Sequence, residues 1–419
     1  MRKNPTLWIP TLYLAEGIPY TIVNVLSVIF LKLKGLDNTD IALYTGWLYL
    51  PWLIKPLWSP IVEMLGRSRF WITATQIIMG AAMASLGLTI PMEDWLRYCM
   101  LALWLTAFMS ATHDIAADGF YIEALSQKQQ ATWVGIRSTF YKIAMLLCQG
   151  ALVVVAGKLQ DRYGIDSAWE AVFFILAAIL GIFGIYHLWA LPNTHQDNPE
   201  QDFTGEKNDG STNKNLKTQI ESFFQKDGIL LALAFMLLYR LGESQLAKMA
   251  APFMLDSIEN GGLGLSTETL GYINGTFGLV AMSVGGIVGG LAIARHGLKR
   301  WLIPMILAIN VPDALYALMA YTQIQDFAAI ASMVSLEQFG YGFGFAAYSV
   351  YMLQFSKGQY PTSHYSICTA FMAAGMMLPG MCSGWIESHT GYPMFFVWVM
   401  ICCVPSVLVA IKIKNRLND

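Results

Sequence analysis

Stretches of about 20 predominantly apolar residues recur along the whole 419-residue chain, and a helix of that length crosses a bilayer. Twelve such spans are predicted, near 7–31, 40–62, 70–90, 96–125, 132–157, 169–191, 228–255, 269–294, 300–321, 326–355, 364–387 and 392–414. The expected fold class is therefore an all-α membrane protein with 12 transmembrane helices. Composition agrees, because only 13% of residues are charged, against about a quarter in soluble domains.

One long polar stretch interrupts the pattern, from Asn193 to Lys226. It is too poor in apolar residues to build a core. It is read as a mobile cytoplasmic linker (193–226) between two six-helix halves, 1–192 and 227–419. Lys and Arg concentrate in the loops that share a side with both termini, so both termini are expected in the cytoplasm. The six cysteines lie in or beside apolar segments without CxxC spacing and read as embedded thiols. No metal-ligand spacing, cofactor motif or nucleic-acid-binding pattern is present, and none of these ligands is expected. His364 and His389 lie near loop ends and read as solvated. Gly285, Gly286, Gly289 and Gly290 read as close helix packing.

Ionisable side chains inside spans are costly and mark partners or water-filled paths. Asp114 and Asp118 sit one helical turn apart in the fourth span and share a face. The fifth span follows after a short loop. Asp118 and Arg137 are equidistant from the centre of that hairpin, as are Asp114 and Lys142, so each acid has a base at its own depth. His113 points about 100° away from Asp114 around the helix. Two readings stand: a charge network able to take up a proton, or a static pairing of two helices. Asp118–Arg137, nearer the cytoplasm, is the better structural pair, and Asp114 the better coupling residue.

Other spans add candidates. Glu16 precedes Gly17 and Pro19, which can interrupt a helix and open a binding site, with Tyr20 and Asn24 just beyond. Glu337 is a lone acid in a Gly-rich span, followed by Gln338 and Tyr341. Glu16, Asp114 and Glu337 are the candidate proton-coupling residues. Tyr239, Arg240 and Glu243 cluster in the seventh span, where Arg240 and Glu243, three residues apart, either pair with each other or leave the Arg fork for a substrate carboxylate. The expected substrate-binding set is Tyr20, Asn24, Asp114, Tyr141, Lys142, Tyr239, Arg240, Glu243, Asn274, Gln338 and Tyr341. Asn310 and Asp313 flank a kink at Pro312 and receive no role.

The two halves echo each other: Gly-centred basic loops follow the second and eighth spans, at Glu63–Arg69 and Ala294–Arg300. This resembles the loop signature of the major facilitator superfamily. Lys55-Pro56-Leu57-Trp58-Ser59-Pro60 and the Asp-x-x-x-Asp pair further resemble its AmpG muropeptide permease family. Trp47–Pro60, Ala111–Gly119, Leu238–Glu243, Asn274–Leu279 and Glu337–Gly344 carry that resemblance. It implies a bacterial inner-membrane importer of GlcNAc–anhydroMurNAc fragments, with or without peptide, driven by protons and serving peptidoglycan recycling. Uptake of a siderophore and transport of acetyl-CoA are alternatives within the superfamily. A membrane enzyme is disfavoured, since no nucleophile–base pair lies in one span. A receptor is disfavoured for want of an added soluble domain. The expected partners are a small-molecule substrate, protons and the bilayer, and a monomer is expected.

Overall fold

The structure is a computed structural model that describes residues 4–64, 68–192 and 211–417. Among these residues there is no β-strand. Eight helical stretches are long and apolar enough to cross a membrane. Two of them, Gly135–Ala190 and Ser363–Lys414, have 56 and 52 residues, enough for two crossings each. They fold back at Gly164 (φ 82°) and Gly391 (φ 72°), a backbone region that a side chain disfavours. The broken helix over residues 38–64 and the helix Phe327–Phe355 bring the crossings to the twelve read from the sequence.

By packing, the chain divides into two compact units. The first comprises Met1–Gly35, Leu48–Phe203 and Ser266–Thr276; the second comprises Leu36–Trp47, Thr204–Leu265 and Phe277–Asp419. In the first unit the first span lies along the fifth, and the third along the sixth. Trp8, Leu12 and Tyr13 meet Ile72, Ala116 and Phe120 in a closed core, with Trp8 edge-on to Phe120 at 5.1 Å. In the second unit the eighth span packs on the tenth, where a Cβ on Gly285 or Gly289 would strike the Phe339 or Phe343 carbonyl. Between membrane helices such fit replaces the hydrophobic drive of water.

Three expectations change. The segment read as a mobile linker contains the helix Ser211–Phe224. Ile220, Phe223 and Phe224 recur at helical spacing, and Phe223 is buried against Phe355 and His364 at 5.8 and 5.5 Å. His364 is in turn buried rather than solvated, with its Nε2 3.0 Å from Ser222 Oγ, whereas His389 is exposed. Gly17 and Pro19 do not break the first span. Helix continues from Ile9 to Leu33, and a wider π-helical turn at Ile22–Leu26 follows the proline. The loop Ala294–Arg300 does turn at a glycine, Gly297 (φ 79°). Its counterpart Glu63–Arg69 includes residues 65–67, which lie outside the described residues.

Candidate functional site

Each unit holds a cluster of charged side chains on a broken span. The first is built on the break in the second span. Pro51 and Pro56 each remove a backbone donor, and the helix falls into short pieces: Leu50–Ile54, a 3-10 turn Lys55–Leu57, then Ser59–Met64. The turn delivers Lys55 to the fourth span, where its Nζ donates to Asp114 Oδ2 at 2.9 Å. This corrects the pairing expected from depth: the base of Asp114 is Lys55, and among the described residues Lys142 makes no ion pair. Symmetry about one hairpin compares only adjacent spans, and Lys55 arrives from a span outside it.

The second acid follows the hairpin geometry. Arg137 Nη2 is 2.7 Å from Asp118 Oδ1. Its guanidinium also lies over the rings of Tyr13 and Tyr121, at 4.5 and 5.4 Å. A capping box positions this arrangement: Ser126 accepts from the Gln129 backbone N–H, and Gln129 accepts from the Ser126 N–H. Glu16, buried, lies in electrostatic reach of Asp114, and its Oε2 has no hydrogen-bond partner among the described residues. Three carboxyls thus face two bases. With every group ionised the cluster carries one excess negative charge, and a single proton neutralises it.

Beside the cluster stands an aromatic group. Tyr20 meets Trp52 and Tyr49 edge-on at 5.5 and 6.5 Å and lies tilted to Tyr141 at 6.2 Å. Tyr20 and Tyr49 hydroxyls lie 3.4 Å apart. Such faces suit the apolar side of a sugar ring. Asn24 donates to the Tyr20 carbonyl at 3.0 Å, and its buried Oδ1 has no partner among the described residues.

The second cluster sits where the seventh span breaks, between Ile229–Leu238 and Leu241–Leu255. Arg240 caps the second piece, and its Nε donates to Glu243 Oε2 at 2.8 Å. Its Nη2 donates to the Tyr341 hydroxyl at 2.9 Å, and the guanidinium lies 5.0 and 5.3 Å from the Tyr341 and Phe345 rings. Arg240, Glu243 and Tyr341 therefore come together, but the fork is already occupied. Tyr239 is a core residue: its ring stacks on Tyr348 at 4.8 Å and its hydroxyl donates to the Gly344 carbonyl at 2.9 Å. Glu337 is buried and accepts from Gln338 Nε2 at 2.9 Å. Asn274 is half-buried in the π-helical stretch Gly271–Gly278 and belongs to the first unit.

Two residues of these sites carry no role readable from the sequence alone, Lys55 and Asp313. Lys55 was visible as a charge within a span, and the prolines around it were the signal that it leaves the helix axis. Asp313, on the 3-10 turn Val311–Asp313, is fully buried and in electrostatic reach of Glu337 and Glu243. The Cys403 thiol faces its Oδ2 at 3.8 Å. A lone Asp at a proline kink gave no hint of that grouping.

Residues 11–246 match the family model described as Major Facilitator Superfamily. The anhydromuropeptide permease of Escherichia coli (strain K12) is 23% identical over 411 residues, covering 96% of this chain and 78% of that protein. A putative transporter AmpG 4 of Rickettsia conorii is 23% identical over 417 residues, covering 97% and 95%. Among solved structures, a D-xylose–proton symporter superposes with a TM-score of 0.72 at 11% identity, covering 97% of this chain and 96% of that one.

Proposed function

The chain belongs to the major facilitator superfamily, and from that premise we propose that it imports anhydromuropeptides, coupled to protons, by alternating access. The substrate class rests on one observation: relatives of that name or type align along nearly the whole chain. The site adds physical support. A sugar ring packs on the faces of Tyr20, Trp52 and Tyr141. Lys142, with no ion pair among the described residues, faces a carboxylate of the substrate. Arg240, held by Glu243 and Tyr341, keeps its own unit together and leaves that task to Lys142.

The proton enters the Glu16–Asp114–Lys55 group. When a proton occupies Asp114, the attraction to Lys55 falls, and the broken second span is released from the fourth. When the proton leaves, the 2.9 Å pair re-forms. Asp118–Arg137 holds the hairpin of the fourth and fifth spans throughout. The protein resides in a bacterial inner membrane, as a monomer with both termini in the cytoplasm, and performs no catalysis.

Proteoliposomes containing the purified protein test this reading. Labelled GlcNAc–anhydroMurNAc peptide should accumulate when an inward proton gradient is imposed, and accumulation should stop when a protonophore collapses it. Uptake of a siderophore or of acetyl-CoA in its place would overturn the substrate assignment. Uptake indifferent to the protonophore would overturn the coupling.

A further inference from the structure

A second polar chain crosses the first unit, made of side chains that the charged cluster does not use. Thr11 Oγ1 lies 3.0 Å from His187 Nε2. His187 Nδ1 lies 2.8 Å from Gln76 Oε1, and Gln76 Nε2 lies 2.8 Å from His113 Nε2. The four residues come from the first, sixth, third and fourth spans. Gln76, His113 and His187 are each fully shielded. The chain ends at His113 Nδ1, a buried nitrogen with no hydrogen-bond partner among the described residues, one residue from Asp114.

A neutral imidazole has one donor and one acceptor, and a carboxamide has a donor end and an acceptor end. These rules leave few arrangements. With the Gln76 NH2 towards His113, the His113 hydrogen must be on Nδ1. The Gln76 carbonyl then accepts from His187 Nδ1–H, and His187 Nε2 accepts from the Thr11 hydroxyl. A half-turn of the carboxamide exchanges its ends with no other heavy atom displaced. Now the carbonyl faces His113, which must carry a hydrogen on Nε2. The NH2 faces a bare His187 Nδ1, and His187 donates from Nε2 to Thr11 Oγ1. Thr11 turns its own hydrogen to the Trp8 carbonyl, 3.2 Å away. Every bond along the chain is made in both states.

We propose that His113 is a proton-binding site separate from the carboxyl cluster, and that the Gln76 carboxamide couples its protonation to the tautomer of His187. A neutral His113 with its hydrogen on Nε2 meets the second state, and a doubly protonated His113 meets only the second; that protonated form, the one proposed, holds one proton more than the first state. That proton comes from water and sits on His113 Nε2, with Nδ1–H retained. His187 keeps a single hydrogen, lost from Nδ1 and regained at Nε2 by exchange with water. Among the described residues, the titratable groups in electrostatic reach of His113 are Asp114 on its own helix and His187 on the sixth span. Around His187 stand Tyr186, at 5.4 Å, and Phe183, stacked at 6.0 Å. A proton on His113 adds positive charge one residue from Asp114 and so competes with Lys55 for that carboxylate. The site stands on hydrogen-bond geometry and holds whether or not the carboxyl cluster carries transported protons.

The test is nitrogen NMR of the full-length protein in bilayers, labelled with ¹⁵N-histidine. His113→Gln and His187→Gln assign the signals. As pH falls from about 8 to 4, His113 should pass from one protonated nitrogen to two. In the same transition His187 should exchange Nδ1–H for Nε2–H. In Gln76→Leu, His187 should no longer follow His113. In Gln76→Glu, which presents an acceptor at both ends, His113 Nε2 should carry hydrogen at every pH. A wild-type His187 that keeps Nδ1–H while His113 titrates would overturn the coupling. A wild-type His113 that stays singly protonated throughout would overturn the site. Both decisive readings come from the unmodified protein.

Discussion

Asp114–Lys55 and Arg240–Glu243 are ion pairs of nearly equal length, 2.9 and 2.8 Å, in opposite settings. The Lys55 and Asp114 side chains remain 26% and 24% accessible, against 9% and 7% for Arg240 and Glu243. Accessible charges attract weakly and separate cheaply, whereas dry charges are held by the cost of leaving either one alone. Their surroundings sharpen the contrast. The first pair has a third carboxyl beside it and stands on a broken helix. The second is closed by Tyr341 and Phe345 and lies within one helical turn of chain. Equal distances therefore describe a contact that can open in one unit and a clamp in the other.

The largest effect should come from breaking the clamp. Arg240→Met leaves the Glu243 carboxylate buried without its cation and should cost about 3–5 kcal/mol. Thermal unfolding in detergent reads that loss, and adding Glu243→Met should recover most of it. An unchanged midpoint in Arg240→Met would erase the contrast. Next, Asp114→Asn should lower gradient-driven uptake by about 100-fold. Its stability should stay within about 1 kcal/mol of wild type, because the pair is accessible. Substrate exchange without a gradient should persist, and its loss would assign Asp114 to binding. Lys142→Gln should raise KM about tenfold at constant kcat, the equivalent of about 1.4 kcal/mol. An unchanged KM would remove Lys142 from the substrate contacts. Smallest of all, Asp118→Arg or Arg137→Asp alone should cost roughly 1 kcal/mol in thermal unfolding. The double reversal should restore the wild-type value, and no recovery would argue against a direct pair.

Much of the fold was legible because hydrocarbon imposes one length and one polarity on every crossing. Asp118–Arg137 was legible for a similar reason, since two helices joined by a short loop place equidistant residues at equal depth. Lys55 was not, because its position depends on how far Pro51 and Pro56 displace a non-adjacent span. Spacing alone left the Arg240 fork open to either Glu243 or a substrate; the structure pairs it with Glu243, and Tyr341, about a hundred residues away, closes it. Tyr239 looked like a site residue because it adjoins Arg240, but the break in the seventh span turns the two apart, one into the core. The helix Ser211–Phe224 was hidden by the polar composition around its few apolar residues.

The fractured second span also bears on how the protein is made. Its prolines leave the Trp47 and Trp52 carbonyls without the donors that a regular helix supplies, and Lys55 adds a charge. A segment of that kind partitions poorly from the translocon on its own. The partner that neutralises its lysine, Asp114, is synthesised two spans later. The second span should therefore commit to the bilayer only after the fourth has emerged. Glycosylation mapping of truncated nascent chains measures this: chains ending before Asp114 should insert the second span poorly, and chains ending after it efficiently.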